Sequence, residues 1–359
     1  MYRTVDFINS YSMRIAHERC VRLKDYPAHH LWGMNGISER GCEVAFHDGP
    51  DELQPLAWMG RLGINKYVRY QLWWFLTQRR RPNLFAAAWS VAWLLGLLRR
   101  VGLLRSRLVV LIHHPVDGHW LTRAALRGCD GLVFLNRHAM AAVGRVAPQT
   151  AARSHLLGWF VDAAFYRDFR ARDGQPAAAP GRPLRIVAAG KELRDFDTLV
   201  EAVRELGTGS VHVEIYCSAE TEPRTRAPNV TVVRGGSHGN PISYAELLSR
   251  YRQADLIAGP MHEADRTVGL TSVMDGFGVG RAMIVTRNPG IDYDLQALGA
   301  GFIVPPGDVG AWRECIVRLC ESPARVGAMG DAAARFADTE LTEADYAGRL
   351  DEIFARYFR

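Results

Sequence analysis

Residues Val268 to Thr286 read V-G-L-T-S-V-M-D-G-F-G-V-G-R-A-M-I-V-T. A glycine-bearing loop runs directly into a short helical stretch, which carries a carboxylate, Asp275, about one turn in. A Gly-rich turn and a buried apolar run at 282–285 follow. First-turn N–H groups have no intrahelical partner and face outward, so a loop leading into a helix in this way cradles phosphate. A carboxylate one turn further on can accept both hydroxyls of a ribose. The stretch therefore predicts a nucleotide diphosphate site, with the Gly269, Leu270 and Thr271 backbone on the phosphates and Asp275 on the ribose.

Outward from this stretch, apolar runs of strand length alternate with helical periods. Before it, strands are expected at 184–188, 211–216, 230–233 and 256–258, with helices at 197–206 and 244–253. In the first half, strands are expected at 43–47, 83–87, 108–112 and 131–135. Helices are expected there at 31–39, 66–79, 89–98, 120–126 and 137–146. Strand–helix alternation of this kind implies parallel sheets covered on both faces. The segment R-A-R-D-G-Q-P-A-A-A-P-G-R-P ending at Pro183 has no apolar period and reads as a linker. The expected domains are thus 1–170, a linker at 171–183 and 184–342, with a last helix at 343–359 returning to the first domain. At 359 residues the chain is long enough for two cores.

Two further segments, N-P-G-I-D-Y-D-L (Asn288 to Leu295) and G-F-I-V-P-P-G-D (Gly301 to Asp308), complete a recognisable order of parts. Together with the opening stretch they resemble the C-terminal domain of GT-B glycosyltransferases, near the retaining family-4 group. That group reads G-x-x-x-x-x-E-A-x-A-x-G-x-P-V-I, a short loop, then G-x-x-V-P-P-G-D. Asp275 stands at the family's ribose glutamate, one methylene shorter. Thr267 stands at its other glutamate, with Glu263 and Asp265 nearby. The loop A-G-K-E-L-R-D-F-D-T-L-V-E-A, from Ala189, resembles the family's G-R-L-x-x-x-K-G-x-x-x-L-I-x-A, two residues shorter. On that match Gly190 opens the loop, and Lys191 and Arg194 are the cations that neutralise a departing diphosphate.

The resemblance implies two doubly wound Rossmann-like domains and sugar transfer from a nucleotide-diphosphate sugar to an acceptor hydroxyl, with retention of configuration. It also implies a sugar-contacting histidine after the strand V-V-L-I, where both His113 and His114 stand. It makes His29 and His30, in P-A-H-H-L-W-G-M, candidates for acceptor contact. Gly158 to Tyr166, G-W-F-V-D-A-A-F-Y, resembles the family's closing strand, with Asp162 as a turn former.

No cofactor or metal is expected. The D-x-D tripeptides at Asp195–Asp197 and Asp292–Asp294 are common by chance, and the first reads as helix-start acids. The absence of G-x-G-x-x-G after an early strand argues against an NAD-type oxidoreductase. A non-catalytic nucleotide-sugar-binding protein or partner subunit is the rival reading, given Thr267 and Asp275.

Six scattered cysteines with no C-x-x-C pair fit a reducing cytosol, and the N-terminal decapeptide has no apolar signal core. Residues 1–180 hold 24 Lys and Arg against 13 Asp and Glu, whereas the remainder holds 20 against 25. The basic first half suggests an anionic acceptor, either a phosphorylated small molecule or a lipid-linked one at a membrane surface. Nucleic acid fits less well, because no basic run is interleaved with aromatics at a module spacing. The stretch Tyr67 to Arg81 admits two readings, an interfacial helix with Trp73 and Trp74 at the lipid or a core helix with a basic exposed end.

Overall fold

The apolar runs pair into two six-stranded, all-parallel sheets in a computed structural model that describes residues 3–172, 181–236, 239 and 241–359. In the first, β1 (Thr4–Ile8), β2 (Glu43–Phe46), β3 (Asn83–Ala86), β4 (Arg107–Ile112), β5 (Gly131–Phe134) and β6 (Ser154–Leu156) lie in the order β2-β1-β3-β4-β5-β6. In the second, β7 (Leu184–Gly190), β8 (Val211–Cys217), β9 (Val230–Arg234), β10 (Leu256–Gly259), β11 (Ala282–Thr286) and β12 (Gly301–Val304) lie in the order β12-β11-β10-β7-β8-β9. The second order is that of a dinucleotide-binding sheet, and it reverses between β7 and β10. Helices cover the sheets, so β3, β5, β10 and β11 are buried at every position.

The chain divides into one unit of the residues up to Phe160 with Glu343–Arg359, and a second of Val161–Thr342. The division falls ten residues before the boundary expected at 170. The reason is the helix Ala163–Arg172, which packs on the helix Leu270–Val279 of the second unit. There the Tyr166 ring lies so close that a Cβ on Gly278 would stand 2.6 Å from it. The expected linker falls mostly outside the described residues. The helix Glu343–Tyr357 belongs to the first unit. Its Phe354 ring packs edge-on against Phe7 and Phe85, and its Tyr346 packs against Phe160.

Three expectations are corrected. The strand β1 was not among the expected strands: its T-V-D-F-I run is interrupted by Asp6, whose carboxylate is buried and bonded to His47 Nε2 at 2.8 Å. The closing strand expected over 158–166 is β6, a few residues earlier, and 163–172 is helical. There Asp162 turns the chain by accepting the Phe165 N–H at 3.0 Å. The helix Lys66–Gln78 is not an interfacial helix carrying both tryptophans, because Trp74 is 0% exposed inside the first core. Among the described residues no helix is long and apolar enough to cross a membrane.

Candidate functional site

Where the strand order reverses, the connections leaving β7 and β10 diverge to opposite faces and leave a crevice at the strand C-terminal ends. Here the two loops are laced together. Arg194 forms an antiparallel bridge with Met261, Asp195 N–H donates to the Pro260 carbonyl at 3.3 Å, and His262 N–H donates to Leu193 O at 3.1 Å. Leu193 is held at φ +50°, a conformation a branched side chain rarely adopts and that persists only where its surroundings enforce it. Arg194 then folds back over the turn, its Nε donating to Ala189 O at 3.0 Å. Only glycine permits this at position 190, since a Cβ there would stand 2.0 Å from Arg194 Nε.

The Arg194 Nη1 is buried and has no hydrogen-bond partner among the described residues. Burial pulls this guanidinium below its ordinary value, yet arginine does not deprotonate in proteins, so a buried cation here calls for an anion. The same Nη1 lies 3.5 Å from where a Cβ on Gly269 would be. Gly269, at φ +78°, is the N-cap of the helix Leu270–Val279 and supplies no side-chain cap, so the first-turn N–H groups at Leu270 and Thr271 lack a capping side chain. A cation and an uncapped helix N-terminus therefore meet at the switch point.

Neighbouring loops hold this arrangement. Asn288 is buried; its Oδ1 accepts the Gly290 N–H at 2.9 Å and its Nδ2 donates to Arg266 O at 3.0 Å. Thr267 packs so tightly on Gly290 that a Cβ there would stand 2.4 Å from Thr267 Oγ1. Lys191 is exposed at the loop tip, beside a Glu192–Arg266 ion pair of 3.0 Å. Gly190, Lys191, Arg194, Thr267, Gly269, Leu270 and Thr271 thus gather at one end of one sheet.

Asp275 lies deeper, at 2% exposure. Its Oδ1 accepts the hydroxyls of Tyr166, at 2.7 Å, and of Tyr244. Burial raises its carboxyl to about 7, and the two hydroxyls pull it back only in part. Both tyrosines are raised well above their ordinary value, by burial first and then by the Asp275 charge, so they remain donors. Neither tyrosine was singled out from the sequence. Tyr166 ends the quoted G-W-F-V-D-A-A-F-Y segment and Tyr244 follows the Ser243 N-cap of its helix, but no spacing rule ties either to Asp275.

The D-x-D acids have local partners. Asp195 caps the helix Phe196–Val203, accepting the Thr198 N–H at 3.2 Å, and Asp197 accepts the Thr225 N–H at 2.7 Å. Asp294 accepts the Gln296 and Ala297 N–H groups. Among the described residues no group of three His, Cys, Asp or Glu side chains could hold a metal ion.

In the first unit, His113 follows β4 and stacks on Trp32 at 4.9 Å, and Trp32 stacks on Trp159 at 5.2 Å. Burial, helped by His114, lowers His113 to about 3, so the ring is neutral near pH 7 and can offer a hydrogen bond but no charge. His114 is exposed. His29 is a correction: at 0% exposure, edge-on to Trp159, it is a core residue and offers no surface to an acceptor. Its carbonyl accepts the Trp159 indole N–H at 3.1 Å. His30 is half-buried, stacks on Tyr26 at 4.4 Å, and is lowered to about 3 by burial and Arg19.

No family model and no curated protein matches the chain. Solved structures match along its whole length. Sucrose-phosphate synthase from Thermosynechococcus elongatus is 14% identical, with 99% of this chain and 98% of that one covered at a TM-score of 0.66. A glycosyltransferase from Rickettsia africae is 10% identical, with 99% and 98% covered at 0.64. HepE from Anabaena, in complex with UDP-glucose, is 12% identical, with 99% and 100% covered at 0.63. With two six-stranded parallel sheets and full-length likeness to these structures, this chain has the fold of the GT-B glycosyltransferases, built from two Rossmann-like α/β domains.

Proposed function

We propose that this protein is a glycosyltransferase that moves a sugar from a nucleoside-diphosphate sugar to an acceptor hydroxyl, with retention of configuration and without a metal. The observation that carries the reading is the buried, unpartnered Arg194 Nη1 beside the uncapped N-terminus at Gly269. That pairing suits a diphosphate, and HepE, a protein of the same fold, has been solved with UDP and with UDP-glucose.

In this reading the Gly269–Leu270–Thr271 backbone, Arg194 and Lys191 hold the diphosphate, with Gly190 and Thr267 shaping the cradle. Charge grows on the phosphoryl oxygen as the sugar C1–O bond breaks, so these contacts strengthen in the transition state. The departing phosphate takes the proton of the acceptor hydroxyl, whose oxygen bonds to C1 on the same face. The ribose falls to the second oxygen of Asp275, since the tyrosines occupy Oδ1. Neutral His113 supplies a hydrogen bond to a donor hydroxyl. The acceptor is a small molecule or a lipid-linked one.

A thermal-shift panel of UDP, GDP, ADP and dTDP tests donor binding, since a ligand at about 100 times its Kd stabilises by about 2.7 kcal/mol. Arg194→Ala should reduce the shift for the preferred nucleotide and lower kcat more than it raises the donor KM. A full shift in a folded Arg194→Ala protein would sink the assignment. The second reading, a non-catalytic nucleotide-sugar binder, draws on Thr267 and on the engagement of Asp275 by two tyrosines. It expects binding with no nucleotide released from any sugar donor.

A further inference from the structure

We infer that the strand N-terminal edge of the first unit is a docking surface for an anionic lipid bilayer, centred on the turn Val101–Gly102–Leu103 and its flanking arginines. The inference does not rest on the donor reading.

Topology sets up the surface. In a parallel sheet each helix returns against the strand direction, so helix C-termini collect at the strand N-terminal edge. The helices Lys66–Gln78 and Trp93–Arg100 both end there, ahead of the paired strands β3 and β4, where Asn83 lies opposite Arg107. The first delivers Arg79, Arg80 and Arg81, and the second delivers Arg99, Arg100 and Arg105. One cation at a helix C-terminus is ordinary, because it complements the dipole. Arg99 and Arg107 also have a structural task, since both bind Asp130. Arg80, Arg100 and Arg105 are exposed and have no acidic partner among the described residues. Next to them, Pro82, Arg99, Arg105, Arg107 and Arg359 line a cavity of about 220 Å³.

The apolar component separates this surface from a plain basic patch. Val101 is 68% exposed and Leu103 is 56% exposed, both between arginines. They are presented on an ordered turn. Gly102 sits at φ +78°, its N–H donates to Arg99 O at 3.0 Å, Leu103 N–H donates to Leu98 O at 2.9 Å, and Leu104 is anchored in the core. Leu76 is likewise exposed on the last turn of its helix. Exposed aliphatics ringed by cations match the boundary between anionic headgroups and acyl chains, where both components gain together.

The test is sedimentation of the full chain with phosphatidylcholine vesicles, pure or containing about one third phosphatidylglycerol. Binding is expected only with phosphatidylglycerol at low salt, and is lost at about 0.5 M salt, where the Debye length is a few ångströms. Arg100→Ser/Arg105→Ser should weaken partitioning about 25-fold, at about fivefold per arginine. Val101→Ser/Leu103→Ser should weaken it at least tenfold. Both variants should keep the parent Tm and nucleotide shift, so a failure here is distinct from a failure of the donor site. Absence of binding to the anionic vesicles at low salt overturns the inference. So does loss in the arginine variant with full binding by the Val101→Ser/Leu103→Ser variant, which would leave an electrostatic anion site and no bilayer surface.

Discussion

Replacing Asp275 by asparagine should make the protein more stable at neutral pH and change the shape of its stability curve. The carboxyl is buried, accepts two tyrosine hydroxyls on one oxygen, and is raised to about 7 by burial. An unfolded Asp titrates near 3.9. The folded state therefore holds a proton that the unfolded state releases between about pH 4 and 7, so stability falls as pH rises through that window and is flat above it. The distance between the two values corresponds to about 4 kcal/mol, an upper figure because buried carboxyls relax. Asparagine keeps the shape and an acceptor oxygen for the hydroxyls and removes the charge. The gap between the Asp275→Asn variant and the parent should be near zero at about pH 4 and grow to a few kcal/mol by about pH 8. Urea unfolding at closely spaced pH values measures it, and other titrating groups cancel in the difference. Parallel stability curves across that window would refute the burial argument. If Asp275 also takes the ribose, the more stable variant binds nucleotide more weakly, by roughly 1.5–3 kcal/mol.

Three other substitutions probe the candidate residues. Gly269→Ala puts a Cβ 2.5 Å from Met261 Sδ at a φ of +78°; calorimetry should find a loss of about 1–3 kcal/mol, and an unchanged Tm would mean the cradle is looser than this geometry requires. His113→Phe keeps the stack on Trp32, so Tm at pH 7 should hold while kcat/KM falls, whereas His114→Phe should leave both near parent values. Equal kinetic losses in the two would remove any special role for His113. Because His113 is held neutral down to about pH 3, its burial costs stability as pH falls below about 6.5, and His113→Phe should be the more acid-resistant protein.

Legibility in the sequence followed locality. The helices Arg137–Val146 and Tyr244–Gln253 were readable to the residue from their period, and the structure shows each capped, by Asn136 and Ser243. The glycine N-cap Gly269 and its helix were readable because loop, cap and helix are contiguous. What escaped notice depends on partners far along the chain. The strand β1 was hidden by Asp6, which is tolerable in a core because His47 bonds it and Arg81 lies 3.8 Å away. The tyrosines on Asp275 come from 109 and 31 residues away. The aromatic stripe near Trp74 and the pair His29–His30 have compositions that suit either surface or core, and only the packing around Trp159 and β3 decides between them. The reach of Arg194 toward Gly269 depends on the strand order, which no local pattern encodes.

The helix Glu343–Tyr357 has a consequence for biosynthesis. It seals the face bearing Phe7 and Phe85, yet it leaves the ribosome only after the whole second unit. At about 5–20 residues per second, the intervening stretch of about 180 residues takes roughly ten to thirty-five seconds to make. Throughout that interval the first unit is a nascent sheet with an open aromatic flank, while the second, being contiguous, can finish and close. Domains usually mature in the order of synthesis. Here the chain order allows the later one to close its core before the earlier one can.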